Sequence, residues 1–277
     1  MTADIIVPTI LFLCMAVLHI LRQKEIDSPS NFSAEYEIGA ASTLGTREIQ
    51  QDYFGVKNNQ GVLLMTLADG VGENGEIAAK LAIDTFRDLF EDRNAIHKPK
   101  YFFRRAANAA NKKITNTLEE RQGESSIAAV LLESSQFFYT VIGNCCIGVF
   151  RDGNLIPVSE GQTVDVLARH SYSEGRISRE KTLALLNEHR RYNTLGQDSF
   201  SEIEFFSKPL QLQKDDLIII MSEGIFNTLS WVEIENVLEQ RISAQNLANE
   251  IIQLVNNSKI AVKENATILI CKFKDKE

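Results

Sequence analysis

The sequence predicts an α+β fold in which helix pairs pack outside a central pair of sheets, antiparallel at least in part, behind one N-terminal membrane-spanning helix. Three observations predict it. Short apolar runs bounded by turn residues recur as strands. Pairs of segments with helical periodicity separate and follow them. An uncharged apolar stretch precedes them all. Strands, two helices, strands and two more helices is the order expected of a layered domain, because each apolar sheet face and helix stripe must be covered.

The elements follow in chain order. The run from Ile5 to Leu21 would rise about 25 Å as a helix, near the lower limit for crossing a bilayer. It lacks the basic start and small-residue cleavage site of a removed signal peptide. It therefore reads as an uncleaved anchor, with a buried N-terminal helix as the alternative. Arg22 and Lys24 follow it, and the positive-inside rule then puts the rest of the chain in the cytoplasm. Residues 1–24 are expected to be the anchor, 25–33 a polar linker and 34–277 one domain, since no low-complexity tract or repeat divides them. Strands are expected at Gly61–Leu67, Ile127–Leu132, Phe137–Ile142, Ile147–Phe150, Leu217–Met221 and Ala266–Phe273. Arg151-Asp152-Gly153-Asn154 carries the Asp-Gly signal of a tight hairpin. Helices are expected over Glu76–Phe90, with Ile77, Leu81, Thr85 and Leu89 on one face, and over Tyr101–Leu118, with Phe103, Ala107, Ala110, Ile114 and Leu118. A second pair is expected at Trp231–Arg241 and Ala244–Asn256.

Bulk properties exclude several classes. At 277 residues and 44% apolar composition the chain can bury one full-sized core. A formal charge of -8, with no stripe of Lys or Arg, excludes a nucleic-acid surface. Cys14, Cys145, Cys146 and Cys271 form no CxxC pair and no zinc-ligand spacing, so neither a disulfide framework nor a zinc site is indicated.

Acidic residues fall repeatedly at the ends of the expected strands: Asp69 after LLMTLA, Glu223 after LIIIMS and Glu264 just before ATILICKF. Strand ends are where a sandwich brings side chains distant in sequence to one rim. With Asp52, four carboxylates become available to one site. Clustered carboxylates repel one another and take up protons unless cations neutralise them, and hard oxygen ligands favour magnesium or manganese over zinc. Each acid taken singly reads as a solvated turn residue; the set carries the inference.

The blocks in which these acids stand resemble bacterial phosphatases of the PPM (type 2C) family. Arg47-Glu48-Ile49-Gln50-Gln51-Asp52 is similar to the family's R-x-x-N-[QE]-D, and Ala68-Asp69-Gly70-Val71-Gly72 to its A-D-G-M-G. Val141-Ile142-Gly143-Asn144, Met221-Ser222-Glu223-Gly224 and Glu264-Asn265-Ala266-Thr267 stand in order where the family has V-G-D, S-D-G and D-N-[IA]-T. Gly75-Glu76-Ile77-Ala78, Gly123-Glu124-Ser125-Ser126 and the segment from Gly175 to Gly196 match intervening blocks. The resemblance implies a four-layer α-β-β-α sandwich over residues 34–277, acting as a monomeric soluble domain on phosphorylated protein substrates. It implies metal-dependent hydrolysis of phosphoserine and phosphothreonine by a metal-activated water with two Mn2+ or Mg2+ ions; the expected anchor with Arg22 and Lys24 would put that activity at the cytoplasmic face of a membrane. By the same carry-over Asp69 bridges both ions, Gly70 offers its carbonyl to one, Glu223 and Glu264 hold the other, Asp52 joins the ligand set and Arg47 grips the phosphate.

The sequence also departs from the pattern. Glu replaces Asp at 223 and 264, adding about 1.5 Å of reach to ligands that tolerate far smaller changes. Asn144 stands where the family has an acid for a third ion, and Gln51 is neutral where many relatives carry Glu. Two readings therefore stand side by side: an enzyme with a rearranged two-metal centre, or a pseudophosphatase binding phosphoproteins or a partner without turnover. A structural membrane subunit is the third.

Overall fold

The computed structural model describes residues 35–91, 97–118, 122–198, 200, 203–205 and 208–274. The apolar run at 5–21 and the linker at 25–33 lie outside the described residues. Among those described, no helix is long and apolar enough to cross a membrane.

Two antiparallel sheets form the centre of the unit from Ala34 onward. One holds β1 (Tyr36–Thr43), β6 (Cys146–Arg151), β7 (Asn154–Pro157), β10 (Leu217–Met221) and β11 (Ala266–Phe273), in the order β1-β11-β10-β6-β7. The other holds β2 (Asp52–Asn59), β3 (Val62–Val71), β4 (Glu124–Glu133), β5 (Gln136–Ile142) and the short β8 (Glu204–Phe205), with β9 (Leu210–Gln211) also on β5. β6 and β7 are joined through Asp152 and Gly153, both at positive φ (51° and 78°), the two-residue turn that the Asp-Gly pair predicts.

Side chains alternate along each strand, and the alternation builds the layers. In β3, Val62, Leu64 and Ala68 pack under α1 (Gly75–Leu89) and α2 (Pro99–Thr117). Leu63, Met65 and Leu67, fully buried on the opposite face, fill the space between the sheets. In β10, Leu217, Ile219 and Met221 pack under α6 (Trp231–Leu238) and α7 (Ala244–Asn257), which leaves Ile218 and Ile220 for the interior. The result is helix pair, sheet, sheet, helix pair. Phe86, Phe102 and Phe103 anchor the first helix layer, with Phe86 and Phe102 edge to face at 6.1 Å. Each such burial contributes about 2 kcal/mol. Two further helices, α3 (Val164–Ser173) and α4 (Arg179–Leu185), form a flap, and the one-turn α5 (Glu223–Phe226) follows β10.

β10 and β11 coincide with the expected strands Leu217–Met221 and Ala266–Phe273. The face of α1 differs from the expected one. Ala78, Ala79, Ala82, Ile83 and Phe86 are buried, while Ile77 is 41% exposed. Alanine faces the sheet because it lets the helix backbone lie close, and the larger Leu81 and Leu89 pack at the edges of the stripe.

Candidate functional site

Where β3 leaves the interior, its alternation continues from Leu63, Met65 and Leu67 to Asp69, which is buried. Asp52, the first residue of β2, is paired with Asp69 across the ladder, so two buried carboxylates stand side by side. The opposite sheet ends at the same rim. Ser222, between β10 and α5, donates its hydroxyl to Asp52 Oδ2 at 2.6 Å. The Ser222 backbone N–H donates to the Thr267 carbonyl at 3.0 Å, and the Thr267 N–H returns to Ser222 Oγ at 2.9 Å. One hydroxyl thus ties β10, β11 and β2 together.

A cation reaches into this rim from the flap. Arg191 Nη2 donates to Asp69 Oδ2 at 3.0 Å and also to Glu223 Oε2, with the arginine side chain only 18% exposed. Its Nε is buried and has no hydrogen-bond partner. Burial pushes the Asp69 carboxyl up to about 8, helped by the charge of Asp52 and opposed by Arg191. Burial likewise pushes Asp52 up to about 6 against the hydrogen bond from Ser222. For Arg191, burial acts downward, but the charges of Asp69 and Glu223 outweigh it and hold the guanidinium above its ordinary value.

Neighbouring residues frame the rim. Gly70 follows Asp69 at a place where a Cβ would sit 2.2 Å from the Gly75 carbonyl oxygen, so only glycine lets the strand end lie against the start of α1. Gln51 donates its amide to the Gly72 carbonyl at 2.8 Å, which ties its neutral side chain to the backbone. Glu264 is turned outward: its Oε1 accepts from Arg47 Nη2 at 3.0 Å, with the two side chains 44% and 53% exposed.

Asp52, Asp69 and Glu223 are thus linked at one rim through Ser222 and Arg191, Gly70 adjoins Asp69, and Glu264 is held aside with Arg47. Among the described residues, no three Asp, Glu, His or Cys side chains are grouped as one ion would require. Arg191 is the participant that the sequence did not reveal. Its only signal was position: one of two adjacent arginines ahead of the flap's Tyr192-Asn193-Thr194-Leu195-Gly196 block.

Two stacked antiparallel sheets between helix pairs, with an acidic rim shared by both sheets, are the arrangement that the resemblance to metal-dependent protein phosphatases implies. The family profile described as protein phosphatase 2C matches residues 41–258, and this chain belongs to that family. Among curated relatives, the serine/threonine phosphatase stp of Listeria welshimeri is 22% identical over 223 residues, 77% of this chain and 85% of that protein. The S. agalactiae serine/threonine phosphatase superposes with a TM-score of 0.73 at 20% identity, covering 86% of this chain and 100% of that one. The catalytic domain of the serine/threonine protein phosphatase PstP, solved in complex with 2 manganese ions, superposes with a TM-score of 0.66 at 21% identity over 87% of this chain and 99% of its own.

Proposed function

We propose that this chain hydrolyses phosphoserine and phosphothreonine in proteins, with Mn2+ or Mg2+, at the cytoplasmic face of a membrane. The observation that carries the reading is the convergence of Asp69 and Glu223, from opposite sheets, on one cationic nitrogen. That nitrogen stands in for a metal ion. The oxygens around it match a hard divalent ion in kind, and Asp69, the Gly70 carbonyl, Glu223, Glu264 and Asp52 are the residues that would hold such ions. Bound divalent ions would offset charge on the phosphoryl oxygens and acidify a water.

The chain's own groups do the remainder. Ser222 fixes the orientation of Asp52, which in turn sits beside Asp69 and raises its demand for a counter-charge. Arg47, exposed at the mouth of the rim, has a planar fork suited to two phosphate oxygens. Glu264 holds that fork until an anion competes for it. Support for the membrane location is the apolar run at 5–21 followed by Arg22 and Lys24.

The full chain in detergent, supplied with MnCl2 and a phosphothreonine peptide, should release phosphate, and Asp69→Asn should reduce release to background. Hydrolysis that survives the substitution would remove the chemistry from this rim. A second reading is favoured by Arg191 and Gln51: a module that binds phosphoproteins without turning them over. Phosphopeptide binding with no phosphate release at any Mn2+ or Mg2+ concentration would select it.

A further inference from the structure

We infer that Arg191 is a tethered competitor of the divalent ions, so that metal enters this rim only by displacing the guanidinium from Asp69 and Glu223. The inference rests on the metal-dependent reading above and concerns how that site is regulated. Its basis is the position of one nitrogen: Nη2 contacts an oxygen of Asp69 and an oxygen of Glu223 at once. Two carboxylates that already share one built-in cation offer an incoming ion a smaller gain than two unpaired ones.

The backbone behind Arg191 is fastened on both sides. Arg191 bridges to Thr163, the Arg190 carbonyl accepts from Val164 N–H at 2.9 Å, and Tyr192 N–H donates to the Gln162 carbonyl at 3.0 Å. Further on, Asn193 Nδ2 donates to Gln162 Oε1 at 2.7 Å, and Leu195 exchanges two backbone hydrogen bonds with Ser125, each 2.9 Å. Flap movement as a whole would break this set. Rotation of the Arg191 side chain alone breaks none of it. The unpartnered, buried Nε shows that the guanidinium is held by two carboxylates and not by a full hydrogen-bond cage. Such a group can be displaced by a stronger cation and returns when that cation leaves. The apparent metal affinity of the protein is then the intrinsic affinity reduced by the fraction of molecules in which Arg191 occupies the rim.

Calorimetric titration of the full chain with MnCl2, in the absence of substrate, tests this. Arg191→Gln should bind Mn2+ about tenfold more tightly than the parent protein, while Arg190→Gln, at an exposed neighbour, should leave affinity unchanged. Equal or weaker binding by folded Arg191→Gln would overturn the inference, as would no binding by either protein. If Arg191→Gln does not fold, the parent protein supplies the measurement: Mn2+ should raise the rate at which a dicarbonyl reagent modifies Arg191, read by peptide mass spectrometry, and an unchanged or lowered rate would overturn the inference. Tighter binding with no phosphate release by any variant would uphold the competition and end the phosphatase reading; phosphate release with unchanged affinity would do the reverse.

Discussion

Two arginines pair with acids of the rim, and their surroundings differ. Arg47 pairs with Glu264 at the mouth, where both side chains are about half exposed, at 53% and 44%. Arg191 pairs with Asp69 and Glu223 further in, where exposure falls to 18%, 12% and 13%. Water screens the first pair and makes it cheap to open. Little water reaches the second, so its charges depend on one another, and removal of one strands the others. The same residue type is therefore loosely paired near water with Glu264 and held as a buried counter-charge with Asp69 and Glu223.

The largest effect that would separate the two pairs is the response to pH in metal-free protein. The ordinary value of an aspartate is 3.8, and in the folded chain Asp52 and Asp69 are raised to about 6 and about 8. A raised carboxyl stabilises the fold fully below its unfolded value and loses that contribution as pH climbs through the folded value. Stability should thus fall by several kcal/mol between about pH 4 and pH 8, measured by urea unfolding in the presence of a chelator. Asp69→Asn should remove most of the slope; an unchanged slope would place its origin elsewhere.

Next in size is Arg191→Ala, which should cost metal-free protein about 3 kcal/mol at neutral pH by leaving buried carboxylates without their partner. Ser222→Ala should cost about 2 kcal/mol, because Asp52 Oδ2 and the Thr267 N–H lose the hydroxyl between them. Thermal unfolding of each variant gives the ranking, and a Ser222→Ala cost near zero would mean that the sheets are not tied there. Smallest is Arg47→Ala. It should change stability by less than about 0.5 kcal/mol while raising KM for a phosphopeptide, the combination expected of an exposed group that contacts substrate.

The acids at the strand ends were legible in the sequence because apolar runs stop abruptly: LIIIMS leads straight to Glu223, and LLMTLA to Asp69, two residues before β3 ends at Val71. Asp52 was legible because it stands in an ordered block with Arg47, and it lies beside Asp69. The flap was not. α3 and α4 carry few large apolar residues and bury only Asp165, Val166, Ala168 and Thr182, so neither shows a strong stripe. β1 was missed because YEIGAAST mixes small and polar residues, with Gly39 present so that α7 can lie against the strand: a Cβ there would sit 2.2 Å from Ala244. Arg191 was illegible for a different reason. An arginine is ordinarily a surface residue, and only the three-dimensional convergence of Asp69 and Glu223 makes this one interior.

The Ser222 hydroxyl has a mechanical consequence. Because it grips strands from both sheets, the gap between the sheets and the aim of Asp52 cannot vary separately. A cavity cut deep in the interior, for instance by Leu67→Ala or Ile220→Ala, would let the sheets settle toward each other, and the slack would surface at the rim as a misdirected acid. Packing defects that remove no charged group should therefore register first as altered chemistry and only later as a loss of fold.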